Sequence, residues 1–107
     1  MSQVKFESNG TTYTLEFDRN TAMQAERMFD ISIGEVQAGK ISMLPSLFAA
    51  AFMKHHPNIK NGVVSGMFDK MSDKAGLYQM LAAMYLETAS SVLEEPDAGN
   101  ALTWKAM

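Results

Sequence analysis

The sequence predicts an α+β fold that is mostly α-helical: an N-terminal β-hairpin packed on three to four helices, the last of them long. Three observations predict it. Asn9-Gly10 stands between two runs of alternating apolar and polar residues, the pattern of a tight hairpin. Apolar residues then recur at helical spacing as far as Met71, interrupted at Gly39 and Pro57. From Ser72 to Glu95 the helical pattern runs on with no breaker.

The hairpin register follows from its turn. Asn-Gly is the preferred pair for a two-residue type I′ turn, because both central positions need positive φ. Closing that turn pairs Ser8 with Thr11, Glu7 with Thr12, Phe6 with Tyr13, Lys5 with Thr14 and Val4 with Leu15. Val4, Phe6, Tyr13 and Leu15 then share one face. A two-stranded hairpin is marginal alone in water, so this face must pack on the helices.

Phe17-Asp18-Arg19-Asn20-Thr21 leads into a first helix, for which Asp18 or Asn20 can serve as N-cap. Ala22, Ala25, Met28 and Phe29 form its apolar side. Ser32-Ile33-Gly34-Glu35-Val36 reads as a helical turn or as an irregular connector, closed by Ala38-Gly39-Lys40. A stronger helix starts near Ser42, with Pro45 in its first turn, where a missing N–H costs little. Its stripe is Leu44, Leu47, Phe48, Ala51, Phe52 and His55, and Pro57 stops it. Lys60 to Met71 is a further amphipathic segment, carrying Val63, Val64, Met67, Phe68 and Met71 on one side. Ser72-Asp73 caps the final helix. The domain is expected to span residues 1–96, with 97–107 a flexible tail after Pro96.

The final helix is too apolar for an ordinary surface helix. Gln79, Glu87, Ser90 and Glu94, with Ala83, occupy one narrow strip, and apolar side chains cover roughly two-thirds of the circumference, where an arc of about 100° suffices. Either this helix runs through the middle of the domain or part of its surface awaits a partner. Leu77, Met80, Met84 and Tyr85 are the candidate partner-binding or self-association residues; Met80 and Met84 border the polar strip and are expected to be exposed. The strand edges of the hairpin, guarded by Lys5 and Glu7, are a second device for self-association. The expected core is Phe6, Tyr13, Leu15, Phe17, Phe29, Leu47, Phe48, Phe52, Phe68, Leu77, Leu81 and Val92.

Nothing in the chain has the pattern of catalytic chemistry, so no catalytic, cofactor or metal residue is assigned and the protein is expected not to be an enzyme. The 107 residues contain no cysteine, which removes disulfides, thiolate metal sites and thiol nucleophiles together. His55 and His56 point about 100° apart on a helix and have no third ligand at a convincing spacing. They read as the end of an apolar stripe and as a complement to the helix C-terminal dipole. Asp69 with Asp73, and Glu87 with Glu94, lie on polar strips as solvated surface. Gly62-Val63-Val64-Ser65-Gly66 reads as a site of close helix packing rather than a membrane dimer motif. Nine basic residues against twelve acidic give a net charge of −3, and the basic ones are scattered, which argues against nucleic acid. No apolar run approaches the ~20 residues of a membrane span, and Met1-Ser2-Gln3-Val4-Lys5 lacks the opening of a secretory signal. Ten methionines are many for this length; Met fills irregular cores and also lines surfaces that accept variable partners. Function by binding is the expectation.

The hairpin Val4–Phe17, the Phe17-Asp18-Arg19-Asn20-Thr21 entry, Gln24-Ala25-Glu26-Arg27-Met28 and Leu47-Phe48-Ala49-Ala50-Ala51-Phe52 together resemble the small tail assembly chaperones of long-tailed, siphovirus-type bacteriophages and prophages. The resemblance covers roughly residues 4–95 and extends to the order of elements. It implies a protein of the bacterial host cytoplasm that binds and coats the tape-measure protein until tail-tube subunits polymerise, and that is absent from the mature virion. It also implies self-association, and contact with the tail-tube protein through a longer frameshifted form, of which this chain would be the short counterpart. A different class of function is a structural adaptor that stays in the virion, such as a head–tail joining or tube-end protein.

Overall fold

The computed structural model describes residues 3–93, 97 and 99–106. Strands β1 (Val4–Ser8) and β2 (Thr11–Leu15) form an antiparallel hairpin. Helices α1 (Arg19–Phe29), α2 (Ile33–Gln37), α3 (Leu44–Ala51), α4 (Asn61–Lys70) and α5 (Lys74–Ser90) follow. Single 3₁₀ turns precede α3 (Ile41–Met43) and follow α5 (Ser91–Leu93). This is the mostly helical α+β fold that the sequence predicts.

The hairpin has the expected register at all five pairs, from Ser8 opposite Thr11 to Val4 opposite Leu15. Asn9 and Gly10 have φ of 52° and 81°, as a type I′ turn requires. The apolar face lies on α3: the Phe6 ring is 6.1 Å from Phe48 and 6.2 Å from Phe52, and Tyr13 is 5.8 Å from Phe52. Asp18 is the N-cap of α1, in a reciprocal capping box with Thr21. Ser32 caps α2, so that segment is a short helix. Asp73 caps α5 from a left-handed conformation, its carboxylate accepting from the Gly76 N–H at 3.1 Å.

Helix α5 is the central element, packed on α1, α2 and α3. Its exposed strip contains Gln79, Ala83, Glu87 and Ser90 as expected, joined by Met80. The wide apolar arc is thereby explained by neighbours on several sides. Phe17 stacks edge-on against Tyr85 at 5.6 Å, and the Tyr78 hydroxyl donates to the Val36 carbonyl. Of the expected core, Leu15, Phe17, Leu47, Phe48, Phe52, Leu77 and Leu81 are buried, while Phe6, Tyr13, Phe29 and Phe68 are half-buried against it.

Four expectations are corrected. Val92 is 47% exposed rather than core. The α-helix ends at Ser90, and the 3₁₀ turn that follows rotates successive side chains by a different angle. Helix α3 ends at Ala51, a turn before His55. The Ala51 carbonyl, which a further helical turn would offer to His55, accepts instead from the Glu16 N–H at 3.1 Å. His56 is not a dipole complement: its Nε2 accepts from the Thr14 N–H at 3.1 Å. Gly62 and Gly66 mark no close helix approach, since a Cβ at either would meet nothing within 4 Å. Leu93, Glu94, Glu95 and Pro96, including the expected C-terminal end of the long helix, lie outside the residues whose side chains are described.

Candidate docking grooves

The four residues expected to bind a partner do not share a surface. Leu77, Met84 and Tyr85 are buried, Met84 being only 2% exposed, so the expectation that it faces solvent is overturned. Position 84 falls on the side of α5 that is covered, whereas Met80 is 39% exposed beside the polar strip. The next surface to consider, the apolar stripe of α3, is also internal: Leu44, Leu47, Phe48, Ala51 and Phe52 are all buried. Both stripes with the strongest periodicity are therefore core.

What remains open is lodged between elements. One groove, of about 490 Å³, lies where the end of α1 meets α3 and α4. Phe48 and Val64 form its buried floor and Phe29, Ala49 and Phe68 its half-buried walls. Ser46, Asn61, Ser65 and Asp69 supply a polar rim. Phe68 reaches Phe48 at 5.4 Å, and the Lys74 ammonium stands over the outer Phe68 ring at 5.4 Å. A second groove, of about 200 Å³, runs between α1 and the end of α5. Ala22, Tyr85 and Ala89 are its floor; Met23, Ile33 and Val92 are apolar sides, and Glu26 is its one charged residue. Burial first, and then the Glu26 charge, push the Tyr85 phenol above its ordinary pKa.

The hairpin edges are unequal. On the β2 side, the Thr14 N–H donates to His56 Nε2 and the N–H of Glu16, just past the strand, donates to the Ala51 carbonyl, so the end of α3 and the turn after it cover that edge. On β1, the backbone groups of Lys5 and Glu7 face away from β2 in this register and have no backbone partner among the described residues. Next to the covered edge sits a buried carboxylate that the sequence pattern did not single out. Glu16 accepts from Gln3 Nε2 at 2.8 Å and His55 Nε2 at 2.7 Å, and pairs with Lys54 at 3.1 Å. These bonds, that from His55 foremost, hold its pKa at about 2 against an ordinary 4.5. The cluster clamps the hairpin to the turn after α3; every partner satisfies the carboxylate, which leaves no vacancy for a ligand.

Among the described residues no group of three or more His, Cys, Asp or Glu is placed to hold a metal ion. No described helix is long and apolar enough to cross a membrane. Sequence reasoning missed Phe29 and Ile33 as groove residues, because each ends or begins a short element where periodicity carries little weight. It also passed over Leu102 and Trp104, 96% and 86% exposed, an apolar pair outside any periodic element.

The family model for a domain of unknown function, DUF5055, matches residues 1–107. No curated protein and no solved structure matches the chain.

Proposed function

This chain belongs to the DUF5055 family, and we propose that it is a phage tail assembly chaperone: it binds and coats the tape-measure protein during tail morphogenesis in the bacterial host cytoplasm and is absent from the mature virion. The observation that carries the reading is the groove of α1, α3 and α4, an apolar trough of about 490 Å³ with a polar rim. A tape-measure protein is a long helical chain, and an amphipathic helix docks by laying apolar residues at i, i+3/i+4 and i+7 into such a trough. Phe29, Ala49 and Phe68 are the side chains that helix meets, over the floor of Phe48 and Val64. Ser46, Asn61, Ser65 and Asp69 keep the rim hydrated when the trough is empty, which suits a protein that must let go when the tube arrives. Grip then comes from many weak copies side by side, where effective concentration raises avidity without tight individual sites. A longer frameshifted form would carry the contact to the tail-tube protein.

Two measurements test this. The chain co-expressed with a tape-measure protein should co-purify with it, and Ser65→Arg, an exposed rim change, should weaken that complex about tenfold or more with the helical circular dichroism intact. Mass spectrometry of purified virions should find the tape measure and not this chain. Finding it at stoichiometric level in virions would favour the structural adaptor instead; no binding to the tape measure would remove the chaperone reading.

A further inference from the structure

The α1–α5 groove and the C-terminal tail are complementary. The groove, at about 200 Å³, is smaller than the roughly 300–1,000 Å³ of a small-molecule site and is sized for one or two large side chains. Its walls are apolar except for Glu26. The tail turns at Asp97–Asn100, where the Asn100 N–H bonds the Asp97 carbonyl, and continues without regular structure. It carries Leu102 and Trp104, almost fully exposed, and then Lys105. Two large apolar residues followed by a cation match two apolar walls and one carboxylate.

The tail does not use the groove of its own chain. The radius of gyration is 15.8 Å and the extents 55 × 27 × 22 Å, where a compact chain of this length has about 13 Å. Leu102 and Trp104 are almost fully exposed, so neither fills a groove of its own chain. A second copy is the occupant this geometry favours.

We propose that the tail segment Leu102–Lys105 of one copy docks in the groove between α1 and α5 of the next, with Trp104 inserted against Ala22, Tyr85 and Ala89, and Lys105 beside Glu26. The contact joins two different surfaces, so each copy keeps a free tail or groove for the next, and a rotation between copies that closes no ring propagates it as an open chain. That is the geometry required to line a long helical partner. The proposal rests on the coat reading for its purpose only. It is tested on the protein alone, so its failure is separable from failure of tape-measure binding.

The experiment is sedimentation of the full chain, with the fluorescence of Trp104, the single tryptophan, as a second readout. Wild type should grow beyond a dimer as concentration rises, its fluorescence shifting to the blue. Trp104→Ala (tail-dead) and Val92→Asp (groove-dead) should each weaken association about tenfold or more. Mixed together they should form a one-to-one pair and nothing larger, since only one tail and one groove remain. Glu26→Lys, on the exposed rim, covers the case in which Val92→Asp does not fold; Lys105→Glu should restore what it loses. A wild type that stays monomeric, with either exposed or buried Trp104, overturns the proposal. So does association that survives Trp104→Ala, which would point to the open β1 edge.

Discussion

Glu16 shows how much one side chain can do in a chain this small. It is buried, yet stays ionised because Gln3, Lys54 and His55 all direct donors at it. Its carboxyl titrates near 2 in the folded protein and near 4.5 when unfolded. The stabilisation is therefore complete above the unfolded value and is lost as pH falls from about 4.5 toward 2, where the unfolded chain takes up the proton first. Urea unfolding between about pH 3 and pH 6 should show wild-type stability falling with acid and Glu16→Gln falling less steeply. At neutral pH the same substitution should cost about 1–3 kcal/mol, because Lys54 and His55 lose their shared acceptor but remain partly hydrated. Equal acid slopes in the two proteins would mean that the clamp does not hold in solution.

Among the elements, the start of α5 combines two opposing preferences. A helix interior favours Ala over Gly by about 1 kcal/mol. At Gly76, however, an added Cβ would lie 2.3 Å from Oδ2 of the Asp73 cap. The carboxylate is exposed and can swing aside, but the cap bond, worth about 1 kcal/mol, goes with it. Gly76→Ala should thus be nearly neutral in the wild type and stabilising by about 1 kcal/mol in an Asp73→Ala background. Thermal melts of the four proteins in the cycle measure this, and additivity would show that cap and glycine act independently. At the other end of the chain, the hairpin turn needs positive φ at Gly10, where space is open and only the backbone constrains the residue. Gly10→Ala should cost about 1 kcal/mol, read from the urea midpoint.

At the scale of the whole molecule, the position of α5 decides what its apolar residues are for. Met80 and Met84 are one turn apart, and their sequence surroundings are alike. Met84 faces the core and Met80 the solvent. Met84→Glu should unfold the protein, since a buried carboxylate without a partner costs several kcal/mol, on the order of the stability of a small domain. Met80→Glu should keep the circular dichroism and melting temperature within about 2 °C of wild type. A folded Met84→Glu protein would show that α5 is less enclosed than this packing requires. The same packing encloses the apolar arc of α5 and leaves the open apolar surface in the seams between helices, where no single stripe describes it.

The sequence by itself determined the features that rest on neighbours close along the chain. The hairpin register, the type I′ turn, the Asp18 and Asp73 caps, the Pro45 helix start and the polar strip of α5 all rest on contacts or spacings within a few residues, or on a register that one turn propagates. The tertiary structure alone decided which side of an over-wide apolar arc is covered. It also decided where α3 stops, because Glu16 takes the Ala51 carbonyl, and why Val92 stands at a groove rim rather than in the core. The grooves belong to this second class for the same reason. Each is lined by residues from several elements, such as Ala22, Ile33 and Ala89, and periodicity within one element carries no information on how two elements approach. Local pattern specifies which faces must be buried; only packing against distant parts of the chain specifies what buries them and what is left open.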